Sequence, residues 1–502
     1  MIRMRGCKDF GLIAILLWSS SAISRAQQIA IGAYQVPGYY YSHPAQIAVG
    51  SDGALWFTEL TDQIGRITTA GAISEYPVPA AGGEPYGIAA GPDGALWFTE
   101  ASYSSGNRIG RITTAGAITE FAVPTQDSNT YEIATGPDGA LWFTEYAGDK
   151  IGRITTAGEI TEFPLPTANS GPFGITPGPD GAMWFAEASR DMIARITMAG
   201  AVTEYAVPTA YSQPGFITAG PDGALWFTEG NGNKIGRITT GGDVTEYPIP
   251  TASCLPDAIM AGPDGALWFT EYAGDKLGRI TTAGAMTESA VPTDGASPYG
   301  ITTGPDGALW FAEAGVPQIG QAVFPTANLS VSPATGYYRS SLTFTGSGFG
   351  PNEGVRVYNS GVGSTVLVSA TADASGSFSA TVPAPQSPYG ARIFQGVGQR
   401  SGKLGAANFS VSPRLALSPS SGPVGSSVTV AGYGFGAQEV LTIFWGDPRS
   451  PLGSTTTDIH GTFEGSAAVS ITVPAGAGDG MNGVFGYGSL PEVIGHGSFT
   501  VQ

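Results

Sequence analysis

The sequence predicts an all-β chain: a seven-bladed β-propeller whose N-terminal strand closes blade seven, followed by two immunoglobulin-like β-sandwiches. Three observations predict it. A block reading Asp-Gly-Ala-Leu-Trp-Phe-Thr-Glu, with Met or Ala at two of its positions, recurs seven times and places Trp56, Trp97, Trp142, Trp184, Trp226, Trp268 and Trp310 at spacings of 41 to 45 residues. Each unit offers four short strand patterns separated by turn signals, the signature of a propeller blade. The seventh unit offers only three, and the missing fourth lies at the other end of the chain, where Ala30–Pro37 matches Ala72–Pro79 position for position.

In chain order, residues 1–26 read as a signal peptide. Arg3, Arg5 and Lys8 precede an apolar run from Phe10 to Trp18, and Ser24-Arg25-Ala26 supplies small residues for cleavage. The expected location is secreted, periplasmic or at the cell surface. No later run is long and apolar enough to predict a membrane span. Removal of the leader takes Cys7 with it and leaves Cys254 as the only cysteine, which excludes an intramolecular disulfide and Cys-rich zinc sites. With 40 Asp+Glu against 22 Lys+Arg the net charge is −18, so nucleic acid and anionic lipid are not expected partners.

Residues 27–325 form the predicted propeller. The 75 glycines and 37 prolines are largely its turns. Each Asp-Gly pair (Asp52, Asp93, Asp138, Asp180, Asp222, Asp264, Asp306) is expected to close the hairpin between strands one and two, Asp capping its own backbone and Gly taking positive φ. The Trp and Phe of each block are expected to pack between blades. Folding the strand three–four hairpin about Ala70-Gly71 sets Arg66 opposite Glu75. The same register pairs Arg111 with Glu120, Arg153 with Glu162, Arg195 with Glu204, Arg237 with Glu246 and Arg279 with Glu288; at blade seven both charges are replaced, by Gln321 and Ala33.

Residues 326–413 and 414–502 are two copies of another unit. Leu329-Ser330-Val331-Ser332-Pro333 corresponds to Leu415-Ala416-Leu417-Ser418-Pro419, and Gly346-Ser347-Gly348-Phe349-Gly350 to Gly432-Tyr433-Gly434-Phe435-Gly436. Alternating strands at this spacing predict β-sandwiches. They resemble bacterial immunoglobulin-like modules of the IPT/TIG kind, which implies a spacer or adhesive stalk.

The propeller units, such as Gly91-Pro92-Asp93-Gly94-Ala95-Leu96-Trp97-Phe98-Thr99-Glu100, Ile109-Gly110-Arg111-Ile112-Thr113-Thr114-Ala115-Gly116 and Thr119 to Thr125, resemble the virginiamycin B (streptogramin B) lyase family over roughly residues 29–325. The resemblance implies a seven-bladed propeller that opens a cyclic depsipeptide ester by elimination, using magnesium and a histidine base. The family's histidines open the sixth and seventh blades, after Pro, and a Glu before the second Pro helps bind magnesium. Here those positions hold Asp257, Tyr299 and Ser297. Such an elimination needs a base that titrates near neutrality, so the family's chemistry does not carry over by resemblance, and no catalytic or metal residue is assigned. Of the histidines, His43 is the only one in the mature propeller. It opens blade one in the position of Glu84, beside Tyr86 of blade two; His460 and His496 lie apart in the last unit.

What remains is a set complete in all seven blades: Glu59, Glu100, Glu145, Glu187, Glu229, Glu271 and Glu313. Propeller connectivity puts them on the face of the blade-to-blade loops, near Tyr39, Tyr40, Tyr41, Tyr86, Tyr131, Phe173, Tyr211 and Tyr299. They either form a ligand face, able to take Mg2+ or Ca2+, a basic peptide or a sugar, or accept backbone N–H groups and fix the loops. Two functions stay open: an exported, monomeric, non-catalytic binding protein for a peptide, glycan or small molecule, or a divergent carbon–oxygen lyase.

Overall fold

A computed structural model describes residues 29–37, 42–79, 82–101, 107–359, 365–446, 451–487 and 494–502. The leader and Tyr39, Tyr40 and Tyr41 lie outside the described residues. The described chain is all-β, and its only helical turn is the 3-10 segment Gly465–Ala467. Among the described residues no helix is long and apolar enough to cross a membrane.

Seven four-stranded antiparallel sheets form the propeller. Blade one runs Pro44–Val49, Leu55–Glu59, Gln63–Ile67 and Ile73–Pro77, and the next five blades repeat it. Blade seven is closed as expected: Ala30–Gln35 pairs antiparallel with Gln318–Val323, Ala30 opposite Val323. The block tryptophans are at most 1% exposed and pack between blades. Trp56 lies in one cluster with Leu96, Phe98 and Ile112 of blade two, and its ring stacks on Tyr76 at 5.4 Å. Within blade one, Phe57 covers Gly65 so closely that a Cβ there would lie 2.0 Å from the phenyl ring, which explains the glycine.

The Asp-Gly turns do more than cap themselves. Asp52 Oδ1 accepts the Ala54 N–H at 3.2 Å and the Trp56 indole N–H at 3.2 Å, while Oδ2 receives Arg66 Nε–H at 2.7 Å. Gly53 takes φ 73°. The same carboxylate–indole–guanidinium bridge recurs through blade six. Burial would raise these carboxyls, yet at Asp52 the Arg66, Trp56 and Ala54 donors outweigh it and hold the group below the usual range.

This bridge corrects the expected Arg–Glu pairing. Glu75 stands opposite Gly65, and Arg66 opposite Ser74; the register is shifted by one in all six blades. The loop holds three residues, not two: Thr68 N–H donates to the Ala72 carbonyl at 2.9 Å, and Gly71 takes φ 86°. A glycine in this conformation adds one residue to the connection. Arg and Glu therefore point to opposite faces of the blade. The Glu finds other partners: Glu162 takes Lys150 Nζ at 2.6 Å and the hydroxyl of Thr125, from the preceding blade, at 2.8 Å. Equivalent latches join Glu204 to Thr167, Glu246 to Thr209 and Glu288 to Thr251.

The substitutions at blade seven also have a different cause from the loss of a pair. Gln321 keeps the bridge in neutral form, donating to Asp306 at 2.9 Å and accepting from the Tyr34 hydroxyl at 3.1 Å. Gly32 and Ala33 lie under the first C-terminal unit. A Cβ on Gly32 would meet Ile393 at 2.6 Å, and the Ala33 carbonyl accepts Arg392 Nη1–H at 2.6 Å. Arg392 is buried, which lowers its pKa to about 10, and it also donates to the Pro388 carbonyl.

The two C-terminal units share one topology. Each is a single eight-stranded, nearly closed sheet with a sandwich-like core, the first around Phe344, Phe349 and Phe394, the second around Phe435, Ile443 and Phe499. They touch one another where Tyr389 N–H donates to the Phe435 carbonyl at 2.9 Å and Tyr338 packs on Tyr433.

Candidate functional site

The first strand of every blade lines the propeller axis. The Thr of each Trp-Phe-Thr-Glu run sets where its residues stand. Thr58 Oγ1 accepts the Gln46 N–H of its own blade at 3.0 Å and donates to the Tyr86 carbonyl of the next blade at 2.6 Å. Thr144 donates likewise to the Phe173 carbonyl at 2.7 Å. These buried hydroxyls fix neighbouring first strands to one another.

At the end of the axis where first strands begin lies a cavity of about 360 Å³, lined by residues that include Tyr131, Tyr146, Phe173, Asp257, Tyr272 and Tyr299. Five rings close a circle around the axis. Tyr86 meets Tyr131 at 4.8 Å, Tyr131 meets Phe173 at 4.9 Å, Phe173 meets Phe216 at 5.3 Å, Phe216 meets Tyr299 at 6.4 Å, and Tyr299 returns to Tyr86 at 6.1 Å. Most of these contacts are edge-to-face, the geometry aromatic quadrupoles favour. The Tyr86 and Tyr299 hydroxyls are hydrogen-bonded to each other.

Two carboxyls share this mouth. Burial pushes Asp257 up to about 8, and its Oδ2 is buried without a hydrogen-bond partner. Glu132 is 9% exposed, its Oε1 likewise unpartnered; burial first, and then the charge of Asp257, raise it well above the carboxylate range. Gln46 Nε2 is a third buried atom without a partner. Tyr86 and Tyr299 are raised by burial and by the neighbouring acids.

The sequence-derived candidates fall out as follows. Asp257, Tyr299 and Tyr86 are brought together at the mouth. His43 is exposed, its Nδ1 at 2.9 Å from the Ala314 carbonyl, and Glu84 is exposed on the rim. The seven glutamates correct the expectation of an open acidic ring. Each is at most 1% exposed and sits where strand two meets the start of strand one, Glu59 opposite Pro44 and Glu229 opposite Pro214. Gly232 and Gly274 close over Glu229 and Glu271. Burial pushes Glu59, Glu145, Glu229 and Glu271 up to about 7 and Glu100, Glu187 and Glu313 up to about 8. Nor do they cap the loop amides. That role belongs to Asp149, which accepts Asn169 N–H at 2.6 Å and Ser170 N–H at 2.8 Å, to Asp191, which accepts Tyr211 N–H at 2.6 Å, and to Asp275, which accepts Ser297 N–H at 2.8 Å.

A magnesium ion of the kind the lyase resemblance implies does not fit these residues. Among the described residues no group of three or more His, Cys, Asp or Glu converges on one point. At the expected metal ligand stands Ser297, a hydroxyl with φ 43° at the rim, and the neighbouring acids are held towards their neutral form.

Glu132, Gln46 and Phe216 escaped the sequence reading. A signal for them exists inside the repeat. Blade bodies are nearly identical, but the second and third residues of the first strands differ from blade to blade: Ala45-Gln46, Tyr86-Gly87, Tyr131-Glu132, Phe173-Gly174, Gly215-Phe216, Asp257-Ala258, Tyr299-Gly300. Packing asks the same of every blade, so variation confined to the axis marks the surface that is free to specialise.

Comparison with known proteins gives the same frame. A sequence profile of the virginiamycin B lyase family matches residues 16–212 and 175–327, together more than half of the chain. A streptogramin B lyase structure is 39% identical, covers 59% of this chain and 97% of its own, and superposes with a TM-score of 0.56. Virginiamycin B lyase from Staphylococcus aureus, in a selenomethionine form and in a catalytically inactive histidine-to-alanine variant with quinupristin, is 41% identical over 59% of this chain and 99% of that one, again at 0.56. A search of curated proteins finds no match. The chain belongs to the virginiamycin B lyase family.

Proposed function

We propose that the chain is an exported recognition protein whose propeller mouth holds a peptide, glycan or small molecule without turning it over, the C-terminal units acting as its stalk. The observation that carries this reading is the pair Asp257 and Tyr299 at the positions of the family's histidines. Tyr299 donates into, or accepts from, Tyr86 and has a pKa raised well above 10 by burial, so it takes no part in proton transfer at neutral pH. The stalk is not loosely tethered, because Arg392 and Ile393 seat its first unit on blade seven. Incubation with a streptogramin B and Mg2+, read by mass spectrometry, is expected to yield no linearised product above a boiled control. A peptide and glycan array is expected to give binding that Phe173→Ala weakens.

One observation favours the second reading, a divergent carbon–oxygen lyase. Asp257, pushed up to about 8 in a cavity, titrates in the range a general base needs. Turnover of the streptogramin that disappears in Asp257→Asn would establish it and overturn the first reading.

A further inference from the structure

We propose that the mouth binds a compact organic cation, an alkylammonium or guanidinium group, held against the rings of Tyr131, Phe173 and Tyr299 and facing the Asp257 carboxylate, with Glu132 as the second counter-charge. The proposal rests on the reading of the mouth as a ligand site and names the chemistry of its ligand.

Three features point to a cation. The wall is aromatic, and ring faces attract positive charge most strongly where water is excluded. Two acids stand within or just beneath that wall, each with a buried oxygen that meets no donor: Asp257 Oδ2 and Glu132 Oε1. Buried carboxyls are normally paired, as Asp222 is with Arg237 and Glu246 with Lys234 elsewhere in the same propeller. At the mouth neither Lys nor Arg contributes to the electrostatics of either acid. The site therefore holds negative capacity without its positive partner, in a cavity of about 360 Å³, large enough for a small cationic group. A neutral sugar or amide would leave both acids uncompensated.

A proton follows the ligand. The titratable groups facing one another here are Asp257, Glu132, Tyr86, Tyr131 and Tyr299. With burial favouring neutral acids, an entering cation ionises at least one of them, and the proton is released to the buffer.

The probes are choline and its neutral isostere 3,3-dimethylbutan-1-ol, titrated calorimetrically into the full chain at constant ionic strength. Choline is expected to bind at least about tenfold more tightly than the alcohol, with a heat at neutral pH that changes between buffers of different protonation enthalpy. Asp257→Asn and Glu132→Gln are expected to weaken choline by about tenfold each and to leave the alcohol unchanged. Both replacements keep shape and remove buried charge, so their melting temperatures confirm folding. Equal affinity for the two probes, undiminished choline binding in both variants, or no choline binding at millimolar concentration overturns the proposal. Displacement of choline by equimolar Mg2+ assigns the acids to a metal and overturns it as well. If the alcohol binds as well as choline and Phe173→Ala abolishes both, the cation is refuted while the mouth remains a ligand site. If neither probe binds, the array experiment alone decides the wider reading.

Discussion

The outer frame of the propeller and its mouth treat the same residue type in opposite ways. In the frame, carboxylates are paired: Asp222 takes an indole and a guanidinium, and Glu246 takes an ammonium and the hydroxyl of the preceding blade. At the mouth, Asp257 and Glu132 keep buried oxygens without donors. Repetition explains the first pattern, since every blade must dock on the next. The second cannot serve docking, because blades without an acid there dock equally well. Satisfied charge marks the scaffold, and unsatisfied charge marks the place left for something else.

The comparison can be broken most severely in the frame. Trp226→Ala removes a fully buried ring between blades five and six and is expected to cost about 3–5 kcal/mol in denaturant unfolding. Arg392→Met tests whether the first C-terminal unit clamps the blade-seven seam. It strips donors from the buried Ala33 and Pro388 carbonyls, with an expected loss of about 1.5–3 kcal/mol and earlier proteolysis near the N-terminal strand. An unchanged melting curve would show that the seam holds by strand pairing alone. Asp222→Ala leaves the Trp226 indole N–H unpaired and should cost about 1–3 kcal/mol. Lys234→Met touches only a half-exposed latch, and about 0.2–1 kcal/mol is expected, shrinking in high salt.

The seven buried glutamates sharpen the contrast through pH. Their folded pKa values, about 7 or 8, lie above the ordinary Glu value of 4.5. Their stabilising contribution is thus complete below about pH 4.5 and is lost as pH rises through about 7–8. The Asp-Gly carboxylates act with the opposite sign: Asp52 is held low, so its contribution is present above its ordinary value of 3.8 and lost as acid protonates it. Melting temperature is expected to fall between about pH 6 and about pH 9, and to fall less in Glu187→Gln. A flat profile in the wild type would place the glutamates in contact with solvent or a counter-ion.

Much of the fold was legible because it is written seven times. Trp56 and its six counterparts gave the blade count, and Ala30–Pro37 gave the closure, since a strand pattern displaced to the far end has one partner. The site was only half legible. Asp257 and Tyr299 were found by resemblance, whereas Glu132 and Phe216 came from no motif; they belong to different blades and meet only when the ring closes. The glutamates misled because a complete set looks functional, while connectivity tells the face and not the depth.

The sequence by itself determined the strand count, the turns and the closed ring, because each follows from local periodicity and from glycines that only certain connections use. Tertiary structure decided the rest. One residue in the three-residue loop over Gly71 moved Arg66 from Glu75 to Asp52. The covering strand Gly390–Gly398, not the loss of an ion pair, accounts for Gly32 and Ala33. And only the circle of first strands could bring Tyr86, Glu132, Asp257 and Tyr299 to one axis, since burial and charge at a shared site depend on neighbours that the chain order keeps far apart.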